Sequence, residues 1–298
     1  LRVVEADSLE VLFELKTNQG IRKVYEKFLA QNKYDQKQFF SNYLKSQILK
    51  LPEEHHSWPI ILAGMASSNI GLQELEYSDF PFDQNGESLR WEQMILHNGL
   101  EIRLISGVKC ETGMMRGEET QAIGLGAELE VFGQGTLILP GTHSKHLRYE
   151  NGAFTALTNF MTGELFEVLS QKSILASSVQ GGELNEEAKA AFKEGLALGF
   201  SNRLSSSLLL VRANHVIRHT SKHANYYFLN GILIGDELSY LKNEKDRIFL
   251  AASDPVFSMY KMALQTYYDP AQLVFFDDKA LEKALLKGQK KILTSHER

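Results

Sequence analysis

The sequence is nearly without cysteine: Cys110 is the only one in 298 residues. A lone thiol excludes an intramolecular disulfide and a thiolate cluster for structural zinc; it fits a reducing cytoplasm, and the thiol is expected to be buried and inert. No apolar run approaches the ~20 residues of a membrane helix, and no charged-then-apolar leader opens the chain, so the expectation is a cytoplasmic protein with no membrane partner. Basic excess is also missing. The 32 Lys and Arg stand against 37 Asp and Glu, a net charge of -5, which argues against a nucleic-acid partner. No internal repeat, low-complexity segment or charge block longer than Lys290-Lys291 is present.

What is present is 43% hydrophobic and 23% charged residues, enough apolar material for two ordinary cores and unlike a disordered chain. The partner expected of such a chain is a small molecule. Alternation of Leu9, Val11 and Phe13 around Asp7-Ser8 predicts a hairpin over 1–16. Asp35 is placed to cap a helix carrying Phe39, Phe40, Tyr43, Leu44 and Leu49, which Pro52 stops. Short apolar runs at 59–62 and 102–105 predict buried strands, followed by a helix over 117–125. Antiparallel strands over 136–159 should turn at Asn151-Gly152. Beyond them the pattern predicts helices near 161–170, 186–198, 202–217 and 224–241, a strand at 247–250, a helix after Asp254, a strand at 273–276 and a last helix from Asp278. Gly181-Gly182 reads as a mobile loop. The change of pattern near Gly133 divides the chain into domains 1–133 and 134–298, with the last helix packing back on the first.

Three segments are dense in small, polar and charged residues amid apolar surroundings: AGMASSNIG (63–71), MRGEETQAIG (115–124) and LPGTHSKHLR (139–148). A buried polar group left unpaired costs ~1–3 kcal/mol, so ligand contacts are a natural explanation for such clusters. In the third segment, Gly141 and Thr142 can turn backbone amides toward a phosphate, with Ser144 and Lys145 adding a donor and a charge. A plain hairpin turn with a solvated lysine accounts for the same residues. In the second, Glu118 and Glu119 open a helix after Gly117. The helix dipole alone favours acids there; the sharper reading makes one of them, Glu118 first, the base that takes a proton from an attacking hydroxyl. In the first, Ser67 and Asn69, with Arg116 of the second, are further candidates for ligand contact. Thr162 and Glu164 read as a helix cap and a first-turn acid, and His55-His56 as solvated surface. His143 and His146 lack the further ligands a zinc site needs, so no protein-bound metal is expected.

These segments, with FMTGELFEVL (160–169), SIL (173–175), NGILIGDEL (230–238) and ASDPVFSMYKMAL (252–264), in this order and spacing, resemble the 2-dehydro-3-deoxygalactonokinase family. The resemblance implies an α/β fold of two actin-like (ribonuclease H-like) domains with a cleft between them. It implies ATP and Mg2+ as cofactors, and phosphorylation of 2-dehydro-3-deoxy-D-galactonate at its 6-hydroxyl in galactonate catabolism. Glu118 then falls where a related kinase type carries its catalytic aspartate, with Glu119 as the alternative, and Gly141, Thr142 and Ser144 resemble its second phosphate turn. Gly231, Gly235 and Ser253 loosely match the adenosine motif. The family's first strand, an acidic residue followed by a Gly-Thr turn, has no counterpart here, since Leu1 falls just after it; a chain without that strand is expected to bind ATP poorly. Another sugar-acid kinase, a phosphohydrolase of the same superfamily, or a sugar-acid sensor that has lost catalysis remain alternatives. A homodimer is compatible with the sequence, which does not set the oligomeric state.

Overall fold

The computed structural model describes residues 1–295. The chain divides into two compact units, one formed by Leu1–Gly133, Tyr149–Leu157 and the chain from Lys279 onward, the other by Gln134–Arg148 and Thr158–Asp278.

The first unit opens with the hairpin of β1 (Arg2–Val4) and β2 (Val11–Glu14), which pair antiparallel. Helix α1 (Ile21–Leu29) follows, then α2 (Gln36–Ile48), whose first turn is capped by the Asp35 carboxylate accepting from the Gln38 amide at 2.8 Å. Val24 of α1 and Phe40, Leu44 and Ile48 of α2 bury one core against Leu96, Leu100 and Ile102. Strand β3 (Ile60–Leu62) is parallel to β7 (Glu101–Ile105), and β6 (Trp91–Ile95) flanks β7 antiparallel. Very short strands fill in the rest. These are β4 (Ser78–Asp79), β5 (Phe82–Asp83), β8 (Val108–Cys110) and β9 (Gly113–Met115). Helix α3 (Glu118–Glu130) starts at Gly117, whose φ of 116° suits glycine.

The second unit begins with β10 (Gln134–Leu139) and turns into β11 (Ser144–Glu150). Residues Tyr149–Leu157, which belong to the first unit, hold the tight turn of Asn151 and Gly152, with φ of 49° and 83°, into β12 (Ala153–Phe160), and the chain returns to the second unit at Thr158. Four helices follow: α4 (Thr162–Lys172), α5 (Glu186–Phe200), α6 (Leu204–Val216) and α7 (Lys222–Leu238). Asn185 and Ser221 cap α5 and α7 with their side chains. Strand β13 (Arg247–Ala251), helix α8 (Val256–Tyr267) and strand β14 (Leu273–Phe276) complete the unit. β10, β13 and β14 are parallel neighbours, so they end on one edge of the sheet. Helix α9 (Asp278–Ser295) belongs, from Lys279, to the first unit. There Gly288 approaches the backbone of Thr120, and Gly124 that of Ala284, so closely that a Cβ on either glycine would lie 1.8 Å from a carbonyl oxygen.

Several local expectations need correction. Thr162 does not cap α4, because Met161 occupies that position and the threonine hydroxyl donates to Glu237 instead. His55 and His56 are half-buried rather than freely solvated: His55 packs edge-on to Trp58, with ring centroids 4.4 Å apart, and a ring nitrogen of His56 lies 2.8 Å from the Leu51 carbonyl. The Gly181-Gly182 segment is held, since Tyr227 donates to the Gly182 carbonyl at 2.6 Å. Cys110 is only half-buried.

Candidate active site

Two of the three polar segments meet in the first unit through their glycines. The carboxyl end of β3 passes through Ala63 into Gly64, whose φ of 72° brings its backbone against Gly117; a Cβ on Gly117 would lie 3.2 Å from the Gly64 Cα. Beside this contact opens a cavity of about 1660 Å³, bordered by β1, β3, the start of α3 and the later turns of α9. Gly64, Arg116, Gly117, Glu118 and Gln121 are among the residues that line it.

The two acids at the start of α3 have opposite environments. Glu118 lies on the cavity wall and accepts from the Arg116 amide at 3.2 Å. Glu119 is fully buried, and both its oxygens accept from the Gly117 amide, at 2.8 and 2.7 Å. Burial, reinforced by the neighbouring Glu118 charge, pushes the Glu119 carboxyl up to about 7. Glu119 thus fixes the loop, while Glu118 faces open space.

Arg116 is fastened on its far side. Its guanidinium donates to both the carbonyl and the hydroxyl of Ser67, the latter at 2.7 Å, reaches the Leu75 carbonyl at 3.3 Å, and lies over the Tyr77 ring at 4.0 Å. Ser67 is completely buried and also donates to the Gly64 carbonyl, so its hydroxyl belongs to the scaffold of the loop. Asn69 is exposed and does not line the cavity; its carbonyl accepts from Gln36.

In the second unit the turn after β10 exposes Gly141, Thr142 and His143 at the carboxyl edge of the parallel strands. This is the edge where α/β sheets hold ligands. Ser253 emerges exposed from the end of neighbouring β13 on the same edge. Ser144 and Lys145 lie beneath the turn: Ser144 is completely buried near the Tyr260 hydroxyl (3.3 Å), and the Lys145 ammonium donates to the His143 carbonyl at 2.6 Å. The first turn of α4 presses on this loop from the side. The Glu164 amide donates to the Thr142 carbonyl at 2.9 Å, and a Cβ on Gly163 would lie 2.5 Å from the Gly141 carbonyl. His143 is paired with the Glu164 carboxylate at 2.5 Å.

The family model for 2-keto-3-deoxy-galactonokinase matches residues 1–287. The chain belongs to this family. A 2-dehydro-3-deoxygalactonokinase of Escherichia coli (strain K12) is 30% identical over 237 residues, 74% of this chain and 77% of that protein. A provisionally named 2-dehydro-3-deoxygalactonokinase of Rhizobium meliloti (strain 1021) is 30% identical over 217 residues, 70% of each. A crystal structure of a candidate 2-dehydro-3-deoxygalactonokinase from Sinorhizobium meliloti superposes with a TM-score of 0.75, covering 97% of this chain and 91% of its own at 24% identity. That likeness establishes the shared fold.

As a member of the 2-keto-3-deoxy-galactonokinase family the chain is a kinase, a transferase for which ATP is the implied co-substrate. Among the described residues no helix is long and apolar enough to cross a membrane. Nor do three His, Cys, Asp or Glu side chains gather there as metal ligands. In this kinase Gly231 and Gly235 lie in the middle of α7, where it crosses α5. A Cβ on either would fall 2.2 Å from the Phe192 carbonyl or 2.4 Å from that of Leu196, so close helix packing by itself accounts for glycine at both positions. Sequence reasoning weighed His146 only as a metal ligand and passed over Tyr77, Glu237 and Tyr260. The available signal was the Asp236-Glu237 pair of acids that ends the apolar run of α7.

Proposed function

We propose that the chain transfers the γ-phosphoryl group of MgATP to the 6-hydroxyl of 2-dehydro-3-deoxy-D-galactonate, giving the 6-phosphate. The observation that carries the reading is the carboxylate of Glu118, on the cavity wall at the mouth of α3 in a chain of this kinase family. Glu118 accepts or orients the proton of the attacking hydroxyl. Arg116, held rigid by Ser67 and Tyr77, offers the charge that a sugar-acid carboxylate needs. The exposed Gly141–Thr142 turn grips the transferring phosphoryl group through its backbone, with Ser144 and Lys145 holding that turn from beneath and Ser253 beside it on the same edge. Mg2+ would enter with the nucleotide and would neutralise charge on its phosphates. The two units are taken as the actin-like pair that the family resemblance implies, in a cytoplasmic enzyme.

The test is a panel of sugar acids with the coupled release of ADP as readout. The proposal expects 2-dehydro-3-deoxy-D-galactonate to have the highest kcat/KM and its product to carry phosphate at the sixth carbon. A preference for another sugar acid would overturn the substrate, and binding of sugar acid without turnover would overturn the kinase reaction.

A further inference from the structure

Behind the Gly141–Thr142 turn lies a polar cluster with a buried centre, to which the proposed reaction assigns no role. Glu237 of α7 and His146 of β11 are both buried, 2.8 Å apart between the carboxylate and Nε2. The other oxygen of Glu237 accepts from the Tyr260 hydroxyl of α8 at 2.7 Å and from the Thr162 hydroxyl at the start of α4. Tyr260 also meets Ser144, and the second ring nitrogen of His146 lies 2.8 Å from the Tyr240 hydroxyl. Burial next to Glu237 keeps the Tyr260 hydroxyl protonated and therefore able to donate.

Stability alone does not call for such a cluster. An apolar side chain of similar volume usually serves a core as well as a buried carboxylate does, and often better. What the carboxylate adds is direction. The two inward-facing residues of β11 just past the turn, Ser144 and His146, are tied through it to Thr162, the residue before the glycine that presses on Gly141. One side chain therefore links the strand leaving the turn to the helix start that closes on the turn through the Glu164 amide.

We infer that Glu237 is a positioning residue for the phosphate turn, seating α4 on Gly141 and Thr142 so that the turn is presented in one conformation. This inference rests on the proposed kinase reading for its catalytic consequence, though not for its structural one. Replacing Glu237 by methionine removes both acceptors with little change of volume, whereas Glu237→Gln keeps one oxygen for Thr162 and Tyr260 and lets its amide donate to the other tautomer of His146.

Two readouts on the full chain separate the possibilities. Hydrogen exchange of the Glu164 amide reads the seating of α4; MgATP kinetics read its use. Glu237→Met is expected to speed exchange at Glu164 at least tenfold while exchange in the centre of α5 is unchanged, and to raise the KM for MgATP about tenfold with a smaller fall in kcat. Glu237→Gln should restore most of both. If the methionine variant does not fold, Tyr260→Phe, which deletes one donor, should show the same pattern at roughly threefold. Unchanged exchange at Glu164 in a folded variant, or acceleration spread evenly over the unit, overturns the inference. Local acceleration with an unaltered KM upholds the positioning role and counts against the turn as the phosphate grip, so failure of the inference and failure of the kinase reading are distinguishable.

Discussion

Glu118 and Glu119 are neighbours with the same side chain and opposite uses, because a helix turns about 100° between successive residues. One points to the cavity and the other into the protein. Glu118→Gln is expected to lower kcat by about 10²–10⁴, the range for loss of a general base, while the KM for MgATP changes less than about threefold; steady-state kinetics over both substrates check this. For Glu119 the prediction concerns stability. Its folded form holds a proton up to about pH 7, against 4.5 for the ordinary side chain. The stability this group contributes is thus full below pH 4.5 and is lost as pH rises through 7, a change on the order of 3 kcal/mol. Thermal melts of Glu119→Gln and the natural protein should therefore diverge in favour of the variant between pH 5 and pH 8. A difference in Tm that stays constant across that range would contradict the assignment.

At the scale of elements, glycine governs two helix crossings, α3 with α9 and α5 with α7. A methyl group at Gly231 would meet the Phe192 carbonyl at 2.2 Å, and backbone cannot yield as a flexible side chain can. Gly231→Ala should then cost about 1–3 kcal/mol, the usual penalty for overpacking. Chemical denaturation would measure it. The KM for MgATP should stay put if packing is the glycine's role, whereas a raised KM with unchanged stability would favour the adenosine contact. Elements with strong local signals were legible in advance. The Asp35 cap marked the start of α2, Asn151-Gly152 marked the turn from β11 to β12, and the apolar runs marked β3, β7, β13 and β14. Helix α1 went unread although Ile21, Val24, Tyr25 and Phe28 follow helical spacing, since no side chain caps its start. The strands β4, β5, β8 and β9 have two or three residues each, too few for any periodicity to register.

For the whole molecule, the proposed MgATP reaction makes a prediction about magnesium. If the ion arrives with the nucleotide, chelation with EDTA should abolish turnover, and calorimetry should still detect sugar-acid binding with its affinity changed less than about twofold. Loss of sugar-acid binding on chelation would place the metal in the acceptor site instead. Specific binding should also raise Tm, because a ligand at 100 times its Kd stabilises the folded state by about 2.7 kcal/mol.

The amino-acid order by itself determined the class of the chain, the family it resembles and the segments where its chemistry gathers, because those depend on local composition, spacing and turn-forming residues. Which acid faces the cavity, why Ser67 serves Arg116, and how Glu237 reaches the elements around the Gly141–Thr142 turn were decided only by tertiary structure. Glu237 stands 75 residues from Thr162 and 91 from His146. Hydrogen bonds between side chains that far apart in sequence exist only once the core has closed around them, and no periodicity in the chain announces them.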